Sequence, residues 1–107
     1  MGYTEATYSA VVSKAKAMCD CSFVETVEDH YAGYWDELGL FIKLRDDAAD
    51  ADVIVLRNGL LNLLEQVLPK GKADFTWQVG FVRDGKTIEV LFPGDEIRHS
   101  SETLQPL

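Results

Sequence analysis

Near the start of the chain, Tyr8, Val11, Val12, Ala15, Met18 and Cys19 recur at the three- and four-residue spacing of one helix face. At about 100° per residue they cover an arc of about 120°, which predicts an amphipathic helix over residues 5–19. Thr4 is its natural N-cap, and Glu5 is favourable in the first turn. A second stripe of Leu56, Leu60, Leu61, Leu63, Leu64, Val67 and Leu68 is broader, about 160°, with Asn58, Asn62, Glu65 and Gln66 opposite. So wide a stripe should meet a sheet and a neighbouring helix together. This helix is expected to begin near Asp52 and to end at Pro69 and Gly71. The β-like Val53-Ile54-Val55 makes its start the least defined boundary.

The period changes to two over residues 75–92. Asp84-Gly85 is a two-residue turn whose preferred form needs positive φ at both positions, and alternating runs flank it, so a β-hairpin is expected. Pairing Arg83 with Lys86 sets Phe81 opposite Ile88, Val79 opposite Val90 and Trp77 opposite Phe92. Those residues and Phe75 make one apolar face. Thr76, Gln78, Gly80, Val82, Thr87, Glu89 and Leu91 make the other, mostly polar and free to face water. Residues 23–31 and 38–45 read as two more strands. In the second, Leu40, Ile42 and Leu44 alternate with Phe41, Lys43 and Arg45. In the first, Phe23 and Val27 share a face with Glu25 and Asp29, which suits an edge strand protected by charge.

The order α-β-β-α-β-β predicts an α+β two-layer sandwich, a four-stranded antiparallel sheet with two helices on one face. At 107 residues the chain fits a single domain, 1–107, with its compact core over about 4–92. After Pro93-Gly94-Asp95 the stretch 93–107 has little to bury and is expected to be an extended or mobile tail.

Composition narrows the class without naming a reaction. A hydrophobic content of 47% with 10% aromatic residues is that of a globular protein. No apolar run is long enough to span a membrane and the first residues lack a secretory pattern, so a soluble, cytoplasmic protein is expected. Charge is more informative. The net charge of −8 arises within residues 20–52, where ten acids face two bases; elsewhere eight acids balance eight bases. A field of that kind repels phosphate and attracts cations or basic protein surfaces. Nucleic acid and membrane are therefore not expected as partners.

Three segments invite chemistry. Cys19-Asp20-Cys21 is too short a thiolate set for zinc, with only His30 and His99 to complete it, and Cys19 lies on the apolar helix stripe. No metal, cofactor or disulfide is expected. The run 46–52 matches a calcium loop in composition only, because Ala48 interrupts the ligand series and the twelfth residue is Arg57. It reads as a helix entry with Asp50 or Asp52 as N-cap. The stretch 30–37 joins His30, Tyr31, Tyr34, Trp35, Asp36 and Glu37 in an expected loop, and aromatics with a polar rim are what binding surfaces use. No phosphate loop, nucleophile elbow or zinc-protease motif occurs, and His99 with Ser100 and Ser101 lies in the expected tail.

The leading reading is a non-enzymatic, small acidic protein-binding module of inhibitor, immunity or adaptor type. Tyr34, Trp35, Asp36, Glu37, Asp46, Asp47 and Asp50 would engage a basic partner, and no residue is assigned a catalytic role. The alternative is a small-molecule-binding protein or enzyme with a pocket between sheet and helices, His30, Tyr34, Trp35 and Glu37 at its mouth. The second alternative is a self-associating structural protein, a homodimer through the open sheet face or an edge strand.

Overall fold

The computed structural model describes residues 5–32, 37–67 and 76–107. Its elements follow the expected order: α1 (Glu5–Met18), β1 (Val24–Ala32), β2 (Glu37–Leu44), α2 (Asp50–Val67), β3 (Thr76–Arg83) and β4 (Lys86–Leu91). Thr4, Pro69, Gly71 and Phe75, to which caps, stops and a core role were assigned above, lie outside the described residues. The backbone N–H of Val53 donates to the carbonyl of Ala49 at 3.1 Å. Ala49 therefore holds the N-cap place expected of Asp50 or Asp52, and α2 starts with Asp50.

The sheet is mixed, not antiparallel throughout. Its order is β1-β2-β3-β4, with β1–β2 and β3–β4 antiparallel but β2–β3 parallel. The 18-residue α2 is the cause, because a helix about 27 Å long carries the chain back along β2. β3 then starts at the same end as its neighbour, as a strand–helix–strand crossover requires.

The Asp84-Gly85 turn forms with φ of 54° and 72°, and Arg83 pairs with Lys86 as expected. Beyond that point the expected register fails. A bulge in β4, facing the Phe81–Val82 step of β3, sets Phe81 opposite Glu89, Gly80 opposite Val90 and Val79 opposite Leu91. The extra residue is Ile88, and from there β4 turns its other face inward. Ile88, Glu89 and Leu91 are buried, whereas Val90 is half-buried and Phe92 is 47% exposed. The open face is thus less polar than the alternation implied. A second irregularity, between Val24 and Thr26, explains the mixed pattern of β1: it brings both Val24 and Val27 to the buried face, opposite Leu44 and Ile42.

Val11, Val12, Ala15 and Cys19 of the first helical stripe join Ile54, Leu60 and Leu64 of α2 and one face of the sheet in a single apolar cluster. That face is led by Leu38, Leu40, Ile42 and Leu44 on β2 and by Trp77, Val79 and Phe81 on β3.

The stretch after Phe92 has no helix or strand, yet Leu104 is 5% exposed and belongs to the core. The core therefore extends past residue 92. Polar anchors hold the stretch in place. Arg57 on α2 donates to Glu89 at 3.1 Å and to the Glu96 carbonyl at 2.7 Å, and Arg98 donates to the same Glu89 oxygen at 2.7 Å. Asn58 exchanges two hydrogen bonds with the backbone of Arg98. Arg83 reaches the carbonyls of Ala48 and Leu104, and the Leu107 N–H donates to the Thr87 carbonyl of β4 at 2.9 Å.

Candidate functional site

The residues singled out for partner binding separate into three places. Tyr34, Trp35 and Asp36 lie outside the described residues. Glu37 opens β2, while Asp46 and Asp47 follow its far end, about 25 Å away along an eight-residue strand. Asp46 and Asp47 are exposed and line a polar groove of about 550 Å³ with Ser22, Glu25 and Arg45. The third place is occupied by Asp50, whose carboxylate accepts from Arg83 at 2.7 Å and from the Leu104 N–H at 3.2 Å. Arg83 chiefly, then Leu104, holds the Asp50 carboxyl below its usual pKa. It is engaged in fastening α2, the hairpin and the 93–107 stretch.

His30 and Glu37, proposed for the mouth of a pocket, do come together. They line one open groove of about 460 Å³ with Gly39, Phe41 and Gln78, on the face of the sheet away from the core cluster. Its centre is Phe41, which alternation places among outward positions and whose side chain is 41% exposed. A Cβ added at Gly39 would stand 3.4 Å from the Phe41 ring, and one at Gly80 also 3.4 Å. The ring therefore lies over both glycines and occupies space that side chains there would fill. His30 meets it edge-on, with centroids 5.3 Å apart and planes at 76°.

Register supplies the charge around that ring. Glu28 is the direct partner of Phe41 on β1, and His30 is the partner of Gly39. The Glu28 carboxylate stands 4.0 Å from His30, with 72% of its side chain exposed. Lys43 on the same face leans toward Glu25, at 3.8 Å. Among the described residues no Lys or Arg answers Glu28 or Glu37. Asp29, on the other face of β1, is by contrast fully employed: it accepts from Tyr8 at 2.5 Å and Lys16 at 2.8 Å, and Lys16 foremost lowers its pKa.

No protein-family model, curated protein or solved structure matches this chain. Cys19 is buried, and desolvation first, then Cys21, pushes its thiol up to about 12. Among the described residues no group of three His, Cys, Asp or Glu could hold a metal ion, and no helix is long and apolar enough to cross a membrane. His99 bonds locally to Ser101 at 2.7 Å. Phe41, Gly39 and Gly80 were not singled out from sequence. The available signal was a large aromatic at an outward β2 position with glycine two residues before it.

Proposed function

We propose that this chain is a non-enzymatic protein-binding module that engages a basic partner through the open sheet face around Phe41. The observation that carries the reading is an exposed aromatic ring flanked by Glu28 and Glu37, two carboxylates that no Lys or Arg answers among the described residues. A desolvated aromatic supplies affinity, and surrounding charge sets the association rate and excludes acidic competitors. In this reading both helices cover one face of the sheet in a two-layer arrangement, which frees the other for the partner. The module works in the cytoplasm, where its two unbridged thiols stay reduced.

Self-association through the same face is the second reading, because Phe41 and Phe92 are both exposed. It is disfavoured by charge. A second copy would bring its own Glu28 and Glu37 into a field already at −8, whereas a basic surface neutralises them.

The test is retention of proteins from the native host on the immobilised wild-type chain and on Phe41→Ser. Basic proteins should be held by the wild type, released by moderate salt and lost from the variant. Retention that ignores both salt and Phe41, or a homodimer in sedimentation that Phe41→Ser dissolves, would set the reading aside.

A further inference from the structure

Phe41 is 41% exposed and its ring reaches the positions above Gly39 and Gly80, so part of the ring stays open to a partner. Gly39 and Gly80 put no side chain beside it, so the ring and the two bare glycine positions form a shallow shelf on this face of the sheet. The His30 and Phe41 rings meet edge to face, and Glu28 is directly across the strand pair, where cross-strand Cβ atoms lie about 4.5–5.5 Å apart. Glu37 closes the far end of the groove.

We infer that this shelf seats an arginine side chain of the partner, its guanidinium stacked on Phe41 and hydrogen-bonded to Glu28. This rests on the protein-binding reading and names the group recognised. Charge and shape select that group together. An apolar side chain would desolvate Glu28 without returning a hydrogen bond. A lysine ammonium is compact and strongly hydrated, so an open shelf strips little of its water. A guanidinium is planar, more weakly hydrated and carries paired donors that match a carboxylate, so it can cover the ring and bind Glu28 at once. Among the described residues Lys43 borders Phe41 and Glu28 but is drawn to Glu25, and Arg57, Arg83 and Arg98 are committed to the fold.

The experiment is an amide-resolved NMR titration of the full chain with a short Gly-Arg-Gly-Arg-Gly peptide, its lysine analogue and its citrulline analogue, which keeps the shape and loses the charge. The arginine peptide should shift Glu28, Gly39, Phe41 and Gly80, and the citrulline peptide should bind at least about tenfold more weakly. Lysine should fall between them. Phe41→Leu, which still covers the glycines, should weaken the arginine peptide about threefold to fivefold, and Phe41→Trp should tighten it. Glu28→Gln should weaken it as well. Equal binding of arginine and citrulline peptides, shifts gathered at Asp46 and Asp47, or a Phe41→Trp variant no tighter than wild type would each overturn the inference. If the peptides fail while Phe41→Ser still abolishes retention of basic proteins, only the arginine seat is lost. If retention fails too, the protein-binding reading falls with it.

Discussion

Single side chains separate the two faces of the sheet cleanly. Val79 is completely buried and Gln78 borders the open groove, so Val79→Asp should destabilise the fold by about 3 kcal/mol or more, because it buries an unpaired charge, and Gln78→Asp by less than about 0.5 kcal/mol. Equal denaturation midpoints for the two variants would refute the assigned faces. Glu89 presents the converse case. Its side chain is 12% exposed and that of Arg57 is 5% exposed, so Glu89→Leu strands a cation in the core and should cost about 3–5 kcal/mol in chemical denaturation. Adding Arg57→Met should recover part of that loss, since the stranded charge goes with it. For the thiols, a pKa near 12 and burial make Cys19 inert at pH 8. Native labelling should modify Cys21 alone, and denaturation should release the second site.

At the scale of elements, the helices, the order of elements along the chain and the Asp84-Gly85 turn were legible in the sequence because each rests on local periodicity or a local backbone requirement. The bulges at Glu25 and Ile88 were not. Neither carries a glycine or a turn residue, and each becomes visible only through pairing with a distant strand. Burying Leu91 and presenting Glu89 to Arg57, 32 residues away, is what the second one achieves. The parallel β2–β3 pair was missed for a related reason, since strand direction depends on where a helix sets the chain down. Of the candidate site, His30 and Glu37 were legible as chemistry, while Phe41 was hidden by its place in an otherwise regular alternation. That the 93–107 stretch, extended as expected, sends a residue into the core was not legible, because Leu104 sits alone in a polar sequence. Leu104→Ala should therefore cost about 2 kcal/mol, read from the thermal or denaturant midpoint. A change below about 0.5 kcal/mol would mean that the stretch contributes nothing to the core.

For the whole molecule, charge and pH oppose each other in a definite order. Asp29 and Asp50 have folded pKa values below their unfolded ones, held down by Lys16 and Arg83 respectively. Each therefore stabilises the fold fully above the unfolded value of about 3.9, and that contribution is lost as pH falls through the lower folded value. Meanwhile, acidification from pH 7 toward the isoelectric point near 4.5 relieves the repulsion of a chain at −8. Thermal melts should show stability level or rising slightly between pH 7 and about 5, then falling below about 4; Asp50→Asn should flatten the acid limb. Stability that declines steadily from pH 7 would contradict this assignment. The Leu107 hydrogen bond to Thr87 bears on how many copies can ever join. Sheets extend into fibres only when each molecule offers two usable borders, one to receive a strand and one to donate to the next. Here Leu107 already occupies the Thr87 carbonyl on the β4 border, and the β1 border is kinked and acidic. Both borders are thus poorer templates for a further strand than a flat, unbonded edge would be, so an exposed ring at Phe41 need not come with open-ended growth along the sheet.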